Sequence, residues 1–310
     1  MRTPTSRRRQ LAAVAVVTAL GLTLAACGDS DDDDGDNNGG GDGGSGAGGT
    51  ITLGYIPSWT DGLSTAYLLE HVLEEAGYTV EHEEISEAGV LYTALAEGDV
   101  DMFPSAWPEV THASYMEQYG DRIEDIGAYY DNAILTFAVP EYSEITSIAE
   151  LPDYVDQLDG RIVGIEPGAG LTEATQESVF PTYGLDDAGF SLATSSTSTM
   201  LTELSNAIDG QEEIVVTLWR PFWANAEYNV RDLEDPEGAL GEAEALHFLG
   251  KDGFAGEFPE VAEWIESIQL SDEEYGALED LVVNQHPDDP AAGVAEWLEE
   301  HPDVVGTPAS

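Results

Sequence analysis

Positive charge is what this chain has least of. Its 310 residues include 9 lysines and arginines against 62 aspartates and glutamates, a formal net charge of -53 at pH 7. Beyond residue 27 the only cations are Arg122, Arg161, Arg220, Arg231 and the sole lysine, Lys251. Nucleic-acid binding rests on cationic contacts to phosphate, so this balance excludes it. An acidic surface repels itself at low salt and is screened at high salt, which points to adaptation to high ionic strength. Cysteine is also scarce. Cys27 stands alone, which excludes an internal disulfide and any multi-cysteine metal site. The histidines show no tight ligand spacing, and His82-Glu83-Glu84 is not a zinc-protease motif. There is no Gly-x-Ser-x-Gly elbow, and the glycine turn from Glu166 to Thr172 lacks Gly-x-Gly-x-x-Gly and the phosphate-loop Lys-Ser/Thr. Carboxylates are so abundant that chance acid pairs carry no argument for a hydrolase. The residues therefore indicate neither a catalytic centre nor a cofactor.

What is present begins with a targeting segment. Arg7-Arg8-Arg9 precede an uncharged apolar run at 11–26, then Leu24-Ala25-Ala26-Cys27. A cationic head, an apolar core and small residues before a cleavage point read as an export signal over 1–27. The core is too short to favour a transmembrane helix. Ser6 to Leu11 also resembles a twin-arginine signal without its usual phenylalanine. Leu24 to Cys27 resembles a lipoprotein box, which makes Cys27 the lipid-attachment residue. Residues 28–49, aspartate-rich and then glycine-rich, form a linker that cannot fill a core. Together these imply an exported protein held by lipid at the outer face of the cell membrane.

The remainder alternates strands and helices. Strands are expected at 51–56, 79–85 and 100–103, with helices at 63–76 and 90–96 and a loop at 59–62. This order argues for a parallel sheet flanked by helices. A dense apolar strand at 134–139 crosses toward a second unit. That unit has its own order: strands at 161–165, 190–193 and 214–218, helices at 172–180 and 200–208. Residues 243–249 read as a strand or an edge segment. Helices follow at 259–268, 272–283 and 290–300, the second capped by Ser271 with Glu274 at the reciprocal position. This helical tail needs a core to cover, so the expected division is a discontinuous first lobe, 50–137 plus 220–310, and a second lobe, 138–219.

Three expected strand ends each deliver a tryptophan: Trp59, Trp107 and Trp219. The carboxyl ends of α/β strands are where such sheets place ligands. A quaternary ammonium has a spread positive charge and an apolar methyl shell. Indole faces offer both apolar surface and quadrupole attraction, so three rings would make a cage for it. Trp223 is either a further cage member or a wall behind it, whereas Trp264 and Trp297 lie on helical stripes and read as packing. Asp61 either attracts the cation and accepts a hydroxyl hydrogen bond, or caps the following helix. Gly168, Ala169 and Gly170, between a strand and a helix, are either an anion cradle for a zwitterion's carboxylate or a plain tight turn. Ser195 to Thr199 is a helix cap or a polar floor. Arg220 pairs with a ligand carboxylate or with local acids. Tyr129 and Tyr130 are either a further ring or core.

Three segments together resemble a known family. They are Trp59-Thr60-Asp61; Gly98-Asp99-Val100-Asp101 with Trp107-Pro108; and Gly164-Ile165-Glu166-Pro167-Gly168-Ala169-Gly170-Leu171 with the run from Ile214 to Trp223. From about residue 50 to 306 the chain is similar to the substrate-binding proteins of ABC importers for glycine betaine, choline and proline betaine. The resemblance implies an α/β, two-lobed periplasmic-binding-protein fold of type II, each lobe a mostly parallel sheet flanked by helices. It implies a non-enzymatic monomer that closes on a small quaternary amine and delivers it to an importer permease and its ATPase. By that resemblance Trp59, Trp107 and Trp219 match cage positions, and Asp61 matches a position that meets the hydroxyl in choline-binding members. Relatives of the betaine type often carry Trp-x-Pro-His-Trp, with the histidine near the carboxylate. This chain has Phe222 there. Glycine betaine is the first expectation, with choline, proline betaine or carnitine as alternatives. A surface enzyme or an adhesion protein is the reading from another class.

Overall fold

The computed structural model describes residues 48–308. The expected signal segment, Cys27 and nearly all of the linker lie outside the described residues. Among the described residues, no helix is long and apolar enough to cross a membrane.

Thr50–Tyr55 forms strand β1, with Ile51, Leu53 and Tyr55 fully buried. It pairs in parallel with β2 (Thr79–Glu84) and β3 (Met102–Ala106). Helix α1 (Thr60–Glu75) connects the first pair and buries the expected stripe of Leu68, Leu69, Val72 and Leu73. It starts earlier than the sequence indicates. Trp59 occupies the extended cap position, and the Leu63 amide closes the first turn on the Trp59 carbonyl at 3.2 Å. Asp61 thus lies inside the first helical turn rather than in a loop. Helix α2 (Ala88–Glu97) ends on left-handed Gly98, and α3 (Ala113–Tyr119) follows the chain out of β3.

Strand β4 (Ile123–Pro140) runs for 18 residues and takes part in both halves of the structure. Ile123 to Ala133 pairs antiparallel with the last strand, while Ile134 to Ala138 pairs antiparallel with β7 (Val216–Arg220). β7 in turn pairs in parallel with β5 (Arg161–Val163), and β5 with β6 (Ser191–Ala193). β8 (Val230–Asp232) joins the far end of β4. Backbone pairing to Ala138–Pro140 thus holds residues 230–232 beside the second sheet. The last strand, β9 (Glu244–Lys251), lies between β3 and β4 in the middle of the first sheet, not at an edge. Its apolar residues are covered on both sides. The full order is β2-β1-β3-β9-β4-β7-β5-β6. Parallel pairs make the outer part of each half, and antiparallel pairs gather around β4 and β9. The β4–β9 ladder is interrupted by register shifts at Asp125/Gly127, Ala128/Tyr130 and Tyr130/Ala133.

The tail helices pack on the first lobe. Pro259–Glu266 contacts β4, and both Asp272–Glu279 and Pro290–Glu300 contact α1. The expected reciprocal cap is present: the Glu274 amide meets Ser271 Oγ, and the Ser271 amide donates to Glu274 at 2.8 Å. Trp297 is fully buried and donates its indole N–H to the Glu274 carbonyl at 2.9 Å, which makes it a core residue, as its helical spacing indicates. Trp297→Ala is therefore expected to lower stability by roughly 3–5 kcal/mol, the range for emptying a large aromatic site. Chemical denaturation checks this, with ligand affinity of the folded fraction unchanged.

Candidate functional site

The carboxyl ends of β1, β3, β5 and β7 converge on one recess of about 330 Å³, its mouth included. Trp59 follows β1, Trp107 follows β3, and Trp219 lies on β7 itself; all three line the recess. Between 5% and 8% of each ring's residue surface remains exposed, so the walls are almost closed to solvent. Leu135 is the direct cross-strand partner of Trp219 and lines the same wall. Ile165, Ala169, Gly170 and Leu171 come from the turn after β5. Asp61, Thr111 and His112 complete the lining.

Each ring is fixed by a protein partner. The Trp107 indole N–H donates to Asp61 Oδ2 at 3.1 Å. Ser105 Oγ donates to the same oxygen at 2.8 Å, and the Tyr129 hydroxyl donates to Ser105 at 2.7 Å. The Trp59 indole N–H donates to Glu166 Oε2 at 3.3 Å, and Trp59 stacks on His112 with ring centroids 5.9 Å apart. Trp219 stacks on Phe222 at 4.1 Å, while the Asn225 side chain ties down both their carbonyls. The polar edges of Trp59 and Trp107 are thereby engaged with protein, and what remains to offer is apolar face.

Charge in the recess is negative or absent. Asp61 is 3% exposed, and burial raises its carboxyl above the ordinary value; the bonds from Trp107 and Ser105 act in the opposite sense. Burial holds His112 down to about 3, so its ring is neutral across the physiological range. The Trp107 amide donates to His112 Nδ1 at 3.2 Å. Nδ1 is then an acceptor, and the proton of the neutral ring belongs on Nε2. Arg220 does not compensate Asp61, because it forms an ion pair with Asp232 on β8.

Several candidate residues take different places from those the sequence suggested. Trp223 does not line the recess. β7 ends at Arg220 and the short helix Ala224–Glu227 begins directly after Trp223, which turns this ring toward Tyr228 and the edge of Phe222. It packs behind Trp219 through Phe222. Phe222 itself backs Trp219. Gly170 is required by protein packing: a Cβ there would lie 1.8 Å from the Thr111 carbonyl oxygen, whereas one on Gly168 would meet only the Glu87 carboxyl at 3.3 Å and the Tyr115 hydroxyl at 3.5 Å. The Gly168 carbonyl accepts the Tyr115 hydroxyl at 2.7 Å. This turn docks against the segment after β3, with Ala169 and Gly170 presented to the recess and Gly168 outside its lining. Helix α4 (Gly170–Ala174) spans five residues before the helix widens into a π turn. Ser196 caps the helix Thr197–Gly210, which settles the hydroxyl-rich stretch as a cap. Tyr129 and Tyr130 are buried in the core of the first lobe.

Sequence reasoning missed His112, because its histidines were tested only as metal ligands. The available signal was its place five residues after Trp107, on the same strand-end segment. Glu166 was read only as part of a turn. Its carboxylate accepts Ser58 Oγ and the Trp59 indole from the first lobe, and the Thr197 amide and hydroxyl, each at 2.9 Å, from the second. Four donors around one buried carboxylate bridge the two lobes beside the recess.

Comparison with known proteins agrees with this geometry. A family model for the substrate-binding domain of ABC-type glycine betaine transport systems matches residues 49–300. The glycine betaine/carnitine transport binding protein of Listeria monocytogenes is 32% identical over 153 residues, 49% of this chain and 50% of that protein. The match thus spans about half the length of the Listeria relative. The crystal structure of the glycine betaine/L-proline-binding protein of Borrelia burgdorferi superposes with a TM-score of 0.77 at 29% identity, covering 84% of this chain and 97% of that one. Lactococcal OpuAC in its closed conformation with glycine betaine gives a TM-score of 0.74 at 27% identity, covering 83% and 97%. The fold is that of the type II periplasmic binding proteins, which bind solutes and are not enzymes. With its strand-end tryptophans gathered around one recess, this chain belongs to the family of substrate-binding domains of ABC-type glycine betaine transport systems.

Proposed function

We propose that this protein captures glycine betaine between its lobes and presents it to the permease of an ABC importer, tethered outside the cell by lipid on Cys27. The observation that carries the reading is the meeting of Trp59, Trp107 and Trp219, each at most 8% exposed, around one recess. A trimethylammonium group cannot form hydrogen bonds, so a wall of indole faces suits it better than it suits water or a primary amine. Each useful indole contact contributes roughly 0.5–2 kcal/mol. The carboxylate of the zwitterion needs donors, and the Nε2–H of neutral His112 takes the part that Phe222 cannot. Glu166 then acts as a clasp, since its carboxylate joins Ser58 and Trp59 to Thr197 only when the lobes are together.

One observation favours choline as a second reading. Asp61 is a buried carboxyl in the lining with no cationic side chain against it. It can accept a hydroxyl hydrogen bond and attract a ligand of net positive charge, whereas it opposes a ligand carboxylate placed beside it.

The test is isothermal titration calorimetry in high salt with glycine betaine, proline betaine, choline, carnitine and proline. Glycine betaine is expected to bind most tightly, and indifference to every quaternary amine would falsify the reading. Trp107→Ala is expected to weaken binding by about 2 kcal/mol, roughly 30-fold. Removing one charge-assisted donor costs about 1.5–3 kcal/mol, so His112→Leu should reduce glycine betaine affinity at least about tenfold and choline affinity far less. Glu166→Gln, which replaces an all-acceptor group by one with its own donors, should weaken both ligands alike by about tenfold. A selective loss of one ligand would show that Glu166 contacts ligand rather than clasping the lobes.

A further inference from the structure

A further buried carboxyl, outside the lining of the recess but bonded to the residue after Trp59, has no part in the capture described above. Glu279, at the end of the helix Asp272–Glu279, is 2% exposed. Its Oε1 accepts the Thr60 hydroxyl at 2.7 Å, and Thr60 directly follows Trp59. The backbone N–H of Trp223, four residues beyond Trp219, is its other stabilising neighbour. One carboxyl therefore touches the two chain segments that carry cage tryptophans, and it stands close enough to Asp61 for the two to feel each other's charge.

The surroundings supply no counter-charge. Asp61 reaches Glu279 from α1. The phenols facing this pair are Tyr129 and Tyr130 on β4 and Tyr275 on the same helix as Glu279; all three are pushed above the ordinary phenol value, so they stay neutral. His112, on the recess side, is neutral as well. No lysine or arginine lies among the groups acting on Glu279. Two buried carboxyls without a cation cannot both ionise cheaply, so they titrate as a coupled pair.

We infer that Glu279 is a specificity-determining residue: by holding or releasing a proton it sets the charge beneath the tryptophan cage, and with it the preference between cationic and zwitterionic quaternary amines. Glu279 does not touch ligand; it acts through Asp61 and the field at the cage floor. This rests on the quaternary-amine reading of the recess. With the proton in place the floor carries at most the charge of Asp61, which a zwitterion tolerates. Without it a second negative charge attracts choline, but attracts one end of glycine betaine while repelling the other. Burial pushes the Glu279 carboxyl up to about 8, so the change falls within an accessible range. The folded value lies above the ordinary 4.5, so the stability this group contributes is complete below 4.5 and is lost as pH rises through about 8.

The experiment is calorimetric titration of the full chain with choline and with glycine betaine from pH 6.5 to 9.5 in high salt, for wild type and Glu279→Gln. Neither ligand changes charge in this window. In wild type the ratio of choline to glycine betaine affinity is expected to rise roughly tenfold across it, as a unit charge at close range in a buried site dictates. Choline binding near pH 8 should also release protons, read from the dependence of the heat on buffer ionisation enthalpy, because affinity and proton binding are reciprocally linked. Glu279→Gln keeps an acceptor for Thr60, and both signals should vanish in it. A flat ratio in wild type overturns the inference without any variant, which decides the matter even if Glu279→Gln fails to fold. Persistence of the wild-type pH dependence in folded Glu279→Gln also overturns it. If neither ligand binds at any pH, the quaternary-amine reading falls and this inference with it; binding without pH dependence sinks the inference alone.

Discussion

Two indole N–H groups bonded to two buried carboxylates organise the centre of this molecule. Trp107 is held by Asp61, and Trp59 by Glu166. A buried carboxylate needs donors to offset its lost hydration. The indoles are among those donors, so satisfying the acids also fixes the rings. The same bond orients each ring with its polar edge toward protein. The rings around the recess are thus held by acid–indole pairing as well as by close packing. Glu166 adds a further constraint: its donors come from both lobes, so one side chain couples ring position to lobe position.

Topology explains why these groups meet. Parallel β1 and β3 end together, while β5 and β7 run the opposite way because the chain reverses through β9 and β4, so the two sets of carboxyl ends face each other across the recess. The crossing strand β4 brings β7 alongside, and the pairing of Leu135 with Trp219 sets the fourth wall. Short turns leave little freedom after each strand, which places Trp107 directly after Ala106. Gly170 then lets the turn after β5 press against the Thr111 carbonyl. Any side chain there would hold the lobes apart, so the recess owes its small volume to an absent Cβ.

Much of this was legible in the sequence, and the reasons for the failures are physical. Three tryptophans at strand ends could be recognised because strand periodicity and the following proline or turn mark where each strand stops. Trp223 met the same description but belongs to a helical turn, and spacing alone does not tell the two apart. The central place of β9 was invisible, since an apolar run reads alike at an edge or in the middle of a sheet, and pairing partners are distant in sequence. Asp61 was weighed as a helix cap or a ligand contact; it lies inside the first turn with its carboxylate held by Ser105 and Trp107. Glu166 and Glu279 were hidden for a common reason. In a chain with 62 acidic residues, nothing local distinguishes a buried carboxyl from a solvated one. Burial is decided by elements that arrive from far along the chain.

The long strand β4 has a mechanical implication. It belongs to both sheets, and the ladder to β9 is broken three times before the strand changes partners at Ala133 and Ile134. Bulges leave rungs unpaired and raise local twist, so the ribbon is most compliant just ahead of that exchange. Any rotation of one half against the other would then be taken up as torsion spread along the ribbon, like a leaf spring, rather than as a break at one residue.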